Sequence, residues 1–433
     1  MPAEAPEWQP GLVGADEAPS GSERPDRRHN VVVVGGGVAG LEALLGLHEV
    51  AAGRVELTLV SPRREFVYRP MLVEEPFGPE IAERRDLTPA AEELGVRFVC
   101  DAVAEVDPAG HTVSLTDGAD LGYDSLVVCP GAVQRPAFDA AATFPAPEGA
   151  AFRIDDLLRH RDGQTRIAFV VPPGATWALP IYELALMTER RARDVSADGI
   201  DCVVVTPESA PLIIFGVPAS EAVAELLSAR GVEVELGAYV RESRTGVLTV
   251  CPADHELDAD AVVALPELGG PRMRGLPCDE AGFIPIDDHA RVTGVDDVYA
   301  AGDATNFPIK QGGLGTQQAD AAAEHIAQRA GVEIEPASFH PTLRGTLLTG
   351  SDSVHMRHEI TGGAGEGTSS PDVLWWPPHK VASRYLSAWL AHERPSPELE
   401  PPSVPLDVEV ALPKEWHEQP MAYDVHAPIE KAP

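Results

Sequence analysis

The chain has 433 residues, enough for two or three domains around more than one core, and its 44% hydrophobic content is ordinary for a globular protein. A formal net charge of −35, with lysine nearly absent and arginine supplying almost all the positive charge, argues against nucleic acid as a partner and disfavours anionic lipid surfaces. The five cysteines, at 100, 129, 202, 251 and 278, are odd in number and form no CxxC pair, which points to free thiols in a reducing, cytoplasmic compartment and excludes the dithiol reductases.

Residues 1–28 are polar and rich in proline, glutamate and glycine, so a disordered extension without a secretory leader is expected there. No run approaches the ~18 apolar residues of a membrane span. Residues 29–150 read as the first part of a Rossmann-like domain. The continuous β-branched run Val31 to Val34 predicts a strand buried on both faces. Gly35, Gly37 and Gly40 then supply a tight turn, a close backbone approach and close helix–strand packing. Leu41, Leu44, Leu45 and His48 follow at helical spacing. The N-terminus of that helix offers free N–H groups and partial positive charge to a pyrophosphate. A second strand, Val55 to Val60, should end in an acid that binds an adenosine ribose; Ser61-Pro62 stands there, and Ser61 retains one hydrogen bond for that purpose. A loop over Glu65 to Leu72, a helix over Pro89 to Leu94 and strands within Val96 to Val106, at Thr112 to Leu115 and at Ser125 to Val128 are expected next. The last of these ends at Cys129-Pro130-Gly131-Ala132.

Residues 151–270 read as a second Rossmann-like domain. Strands at Arg166 to Val171, Asp201 to Thr206 and Val232 to Leu236 alternate with helices at Ile181 to Arg191 and Ser220 to Arg230, which predicts a parallel sheet and a three-layer α/β fold. Where a nucleotide turn would carry its glycines, the chain reads Pro172-Pro173-Gly174-Ala175-Thr176-Trp177. The prolines lack N–H donors and the indole obstructs close approach, so this is a degenerate NAD(P)-type domain. Glu208 mimics a ribose acid without the glycines that would make it useful.

The chain returns to the first domain over 271–330. Within Thr293 to Asp303, an apolar strand from Val298 to Ala301 ends in Gly302-Asp303. Glycine admits a cofactor to the backbone. The carboxylate can accept hydrogen bonds from ribityl hydroxyls, which FAD has and NAD lacks. Taken together, the two motifs predict FAD held along its whole length. A helix from Gly315 to Arg329 follows. Over 331–393 a hairpin from Thr342 to Ile360 turns at Gly350-Ser351-Asp352. His355 and His358 have metal-like spacing, but a strand sends them to opposite faces, and no metal is expected. The aromatic stretch 374–390 reads as a helix capping the flavin domain, with a peripheral membrane contact on the inner face as the rival reading. Residues 394–433 read as an acidic, proline-rich tail.

Gly35 to Gly40, Phe66 to Pro70, Tyr123 to Val128, Pro180 to Ala185, Thr293 to Asp303 and Lys310 to Leu314 carry a resemblance to a known group. The chain resembles the pyridine nucleotide-disulfide oxidoreductase superfamily, in the flavoprotein group that includes sulfide:quinone oxidoreductase, flavocytochrome c sulfide dehydrogenase and type II NADH dehydrogenase. The resemblance implies that Gly35, Gly37, Val38, Ala39 and Gly40 meet the pyrophosphate, that Val103 contacts adenine through its backbone, and that Gly131 lines the cofactor. It puts Gly302 and Asp303 at the ribityl chain, Arg69 and Pro70 beside the flavin, and Lys310 with Gly313 and Leu314 at the pyrimidine edge. A cation there stabilises developing negative charge; a solvated surface lysine is the plainer alternative for Lys310. Glu183 is implied as an acid/base group, or else as a helix N-terminal acid. Sulfide-oxidising members use a cysteine pair with one member beyond the Ala-Gly-Asp motif. This chain has no cysteine after Cys278, which puts sulfide in doubt. Cys129 is the thiol nearest the cofactor face, and a buried inert thiol is its commoner fate. The expected function is FAD-dependent transfer of two electrons from a small donor to a quinone or another acceptor, by a chain that is compatible with a homodimer. NAD(P)H as donor and a non-catalytic flavin-bound module stay open as alternatives.

Overall fold

The β-branched runs form the centres of two parallel sheets. Val31, Val32 and Val33 are almost fully buried, and their strand, His29–Val34, pairs in parallel with Val55–Val60 on one side and Ser125–Val128 on the other. Arg97–Val99 and Val298–Ala300 complete five strands in the order Val298–Ala300, Ser125–Val128, His29–Val34, Val55–Val60, Arg97–Val99. A second five-stranded sheet runs Ala142–Thr143, Ala261–Ala264, Thr165–Val170, Ile200–Val205, Glu233–Glu235. Each sheet is interrupted in the chain by a three-stranded antiparallel meander, over 103–122 before Ser125–Val128 and over 239–258 before Ala261–Ala264. One α/β plan therefore occurs twice, which is the fold class the alternation predicts. This computed structural model describes residues 27–78, 82–146, 152–159, 164–360, 367–392 and 395; all but two residues of the expected extension over 1–28 and all but one residue of the expected tail over 394–433 lie outside them.

Helices Val38–Val50 and Gly312–Arg329 pack against each other on the first sheet. Their approach requires small residues. A Cβ on Gly302 would lie 3.0 Å from that of Ala39, and one on Gly315 would lie 2.9 Å from Gly302 Cα. Helices Leu179–Asp194 and Val217–Arg230 flank the second sheet, each with proline in its first turn, where its missing N–H is harmless. A C-terminal sheet of Thr342–Leu347, Val354–Glu359 and Thr368–Ser370 shares a core with the second unit through Leu343, Leu347 and Met356. Its hairpin is the predicted one, and His358 faces away from His355, donating to Ile214 O while His355 packs on Trp375.

Two stretches differ from the sequence reading. The expected loop at 65–72 contains a strand, Glu65–Val67, and the start of a 3-10 helix, Arg69–Phe77. A three-residue strand is too short to display a period. Of 374–390, only the last residues are helical, within Leu386–Ala391. Trp375 is fully buried and Trp389 partly so, while Trp376 is 46% exposed. The stretch is thus mostly a strap across the first unit that ends in a short helix. Among the described residues no helix is long and apolar enough to cross a membrane.

Candidate functional site

Both motifs end at the carboxyl edge of the first sheet, the edge at which open α/β sheets bind ligands. Only Ser125–Val128 separates their strands. Val34 to Ala39 and Ala301 to Asp303 accordingly line one cavity of about 950 Å³. Gly35 has φ +107°, and a Cβ there would meet Cys129 O at 2.2 Å, so no other residue can make this turn. Gly37 is the extended N-cap of helix Val38–Val50 and has no side-chain cap, which leaves the first-turn N–H groups for a ligand. At the second motif, Gly302 has φ +79° and its N–H donates to Gln318 Oε1 at 2.8 Å, which turns Asp303 into the cavity.

The residues present fit FAD. A Cβ on Gly37 or on Gly131 would meet nothing within 4 Å, so both backbones border open space. No hydrogen bond from the described residues reaches the Asp303 carboxylate, although burial raises its pKa against the pull of Lys310 and Arg69. An unpartnered carboxylate in a cavity fits a ligand rich in hydroxyls. Ser61, Arg69, Pro70, Val103 and Gly131 also line the cavity. Three of the expected cofactor contacts do not. A Cβ on Gly40 would fall 1.8 Å from Gly35 O, so this glycine serves the packing of helix on turn. Gly313 is buried beneath Gln311, and Leu314 belongs to the second core. Gln311, Gly312 and Gly315 face the cavity in their place. The Ser61 hydroxyl is engaged by its own loop, donating to Arg63 O at 2.9 Å.

Lys310 is not a solvated lysine. Its Nζ donates to Thr305 O and lies 3.7 Å from the centroid of the Phe283 ring, and burial lowers its pKa to about 8 against the pull of Asp303 and Asp279. Glu183 is fully buried at the cavity wall. Its Oε1 accepts from Leu348 N at 2.9 Å and its Oε2 lies 2.7 Å from Lys380 Nζ, which also donates to Pro70 O at 2.9 Å. Burial raises the Glu183 pKa to about 7, with Lys380 holding it down. These contacts run across the fold rather than to the first turn of its own helix, so a helix-terminal acid does not describe Glu183. Cys129 borders the cavity, but burial pushes its thiol to about 12, which leaves no thiolate for nucleophilic work.

Lys380 escaped the sequence reading, yet composition carried a sign of it. The chain has four lysines, and the two within the described residues, Lys310 and Lys380, both line the cavity. In the second unit the turn from strand to helix takes eight residues, 171–178, against three in the first, 35–37. Its Ala175, Thr176 and Trp177 line the same cavity, with the indole edge-on to Phe215 at 5.7 Å. Glu208 is turned inward, accepting from Tyr182 Oη at 2.7 Å and Thr206 Oγ1 at 2.9 Å.

Comparison with known proteins places the fold in a family. The pattern of the pyridine nucleotide-disulphide oxidoreductases matches residues 29–326. An NADH dehydrogenase-like protein of Mycobacterium tuberculosis is 31% identical over 293 residues, covering 63% of this chain and 72% of that protein. The type II NADH:quinone oxidoreductase of the same organism is 26% identical over 322 residues, covering 65% of this chain and 68% of that protein. Among solved structures, the sulfide:quinone oxidoreductase of Aquifex aeolicus shares the fold with a TM-score of 0.72 at 18% identity, over 79% of this chain and 86% of that one.

Proposed function

The chain belongs to the pyridine nucleotide-disulphide oxidoreductase family and is an FAD-dependent oxidoreductase; from that premise we propose that it passes two electrons from a small reduced donor to a quinone or a similar acceptor, with Glu183 and Lys380 serving the proton. The observation that carries this reading is the buried pair itself. An acid titrating at about 7 stands beside a lysine at 2.7 Å, in the wall of the cavity that both FAD motifs share.

Bound FAD supplies the two-electron redox chemistry. The chain's residues do the rest. The glycine turn and the first N–H groups of helix Val38–Val50 would hold the pyrophosphate, and the Asp303 carboxylate would accept from the ribityl hydroxyls. Lys310 would offer a cation to a flavin that gains negative charge on reduction, and its partial desolvation would strengthen that interaction. Reduction of a quinone to a quinol takes up two protons with two electrons. Glu183 gives and regains a proton near neutral pH because burial and Lys380 set it there. Tyr68 Oη accepts from Val381 N at 2.7 Å and keeps the Lys380 strap on the cavity.

The names of the relatives favour NADH as the donor. The long proline-containing turn and the inward Glu208 disfavour it, because they remove the phosphate cradle and the ribose acid of a nucleotide site. Anaerobic titration of the bound flavin with NADH, NADPH, sulfide and a quinol tests the proposal. Reduction by one small donor and reoxidation by a quinone is expected. A flavin that no donor in the set reduces would overturn it.

A further inference from the structure

The strap that carries Lys380 to the cavity has no helix or strand between 375 and 385, so its backbone must be held by other groups. Three successive N–H groups, of Arg384, Tyr385 and Leu386, donate to a single carboxylate, that of Glu42, at 2.8, 3.0 and 2.6 Å. Glu42 stands on the helix that begins at the glycine turn and is fully buried. Facing it from helix Gly312–Arg329 is Asp320, which hydrogen-bonds to Glu42 through one oxygen and has no partner for Oδ1. Two neighbouring carboxyl groups shielded from water disfavour joint ionisation. Burial raises the Glu42 pKa, and the three N–H groups it accepts pull it back down. Burial and the neighbouring Glu42 push Asp320 well above the usual carboxylate range. The other ionisable groups facing the pair are Glu324, on the helix of Asp320, and Arg384 and Tyr385 on the strap; Arg384 donates to Glu324 at 2.8 Å.

We propose that Glu42 is a positioning residue for the cavity pair: by gathering the N–H groups of 384–386 on one buried carboxylate, it fixes the strap that sets Lys380 against Glu183. This rests on the reading of Glu183 as the proton-exchanging acid and extends it to a residue that does not line the cavity. Glu42→Gln turns one acceptor oxygen into an N–H₂ group facing N–H donors. The strap then loosens, the ammonium leaves its short contact, and the Glu183 titration moves up.

The test is the midpoint potential of the bound flavin in purified holoprotein, followed against pH by dye equilibration. Wild type should show a change of slope where Glu183 titrates, near 7. Lys380→Met should move that break upward, and Glu42→Gln should move it the same way by about half to one pH unit. The double variant should match Lys380→Met alone, because Glu42 acts only through Lys380. Asp320→Asn, whose amide still donates to Glu42, should leave the break in place. A Glu42→Gln holoprotein with an unmoved break, or a double variant in which the two shifts add, overturns the proposal. If Glu42→Gln yields no holoprotein, Glu42→Asp, which keeps the charge and withdraws it by one methylene, is read by the same two criteria. A wild-type profile with no break overturns the Glu183 reading itself.

Discussion

Lys380→Met is the most informative single change. It removes the ammonium 2.7 Å from Glu183 and keeps most of the apolar stem. Burial is the larger influence on Glu183 and pushes its pKa from near 4.5 to about 7; Lys380 opposes it. A carboxyl pKa raised on folding means that the native state prefers the protonated form. That preference stabilises the fold fully below the ordinary carboxylate value and is lost as pH rises through the folded one. For wild type the loss between those limits is about 3 kcal/mol, at ~1.4 kcal/mol per unit. Removing an adjacent opposite charge raises a carboxyl pKa by a further ~1 to 3 units, which carries Glu183 to roughly 8–10. At pH 5 Glu183 is protonated in both proteins and the variant should lie close to wild type. At pH 9 the variant should be less stable by about 1 to 3 kcal/mol, because no more than two pH units separate that pH from the wild-type titration. Urea unfolding of holoprotein at pH 5, 7 and 9 measures the gap directly. A gap that stays constant across this range, or narrows as pH rises, would refute the reasoning.

Asp303→Ala removes the acceptor expected for the ribityl hydroxyls and should weaken FAD retention about tenfold to a hundredfold, measured as flavin content after gel filtration; unchanged content would sink that assignment. Gly35→Ala forces a Cβ to 2.2 Å from Cys129 O at φ +107°, so the variant should accumulate without flavin or fail to accumulate, and yellow, stable protein would contradict the geometry. Cys129→Ala should retain the reductive half-reaction and the wild-type thiol should resist modification in the native state, because its pKa lies near 12; loss of flavin reduction in a variant that keeps FAD would reinstate the thiol. Stopped-flow mixing with millimolar NADH should leave the flavin oxidised, and rapid bleaching would show that the eight-residue turn still admits a nicotinamide.

The fold was legible because its signals are local. Val31 to Val34 is buried on both faces and reads as such without tertiary knowledge. Gly35 and Gly302 are demanded by positive φ and close contacts, so the sequence had no alternative residue to offer. The Thr342 to Ile360 hairpin was equally plain, its strands meeting in register at Leu347 and Val354. What stayed hidden depends on contacts between distant segments. Nothing near Lys380 in sequence shows that its ammonium meets Glu183, 197 positions earlier. Glu42 looks like a surface acid of an amphipathic helix until the strap closes over it. Gly40 packs helix on turn as its place in the fingerprint predicts, whereas Gly313 and Leu314 sit inside a cofactor motif but do not border the cavity, a difference that a motif cannot express. The strap itself resembled a helix because its aromatic residues are dense, but Trp375 is buried by tertiary contacts and not by a helical face.

The central claim is that two distant segments grip one long dinucleotide, at its phosphates and at its sugar alcohol. Flavin released by denaturation from purified wild-type protein, identified by chromatography and counted per chain, tests it most directly. One FAD per chain is predicted; FMN, or a preparation that binds no flavin when FAD is added, would contradict it.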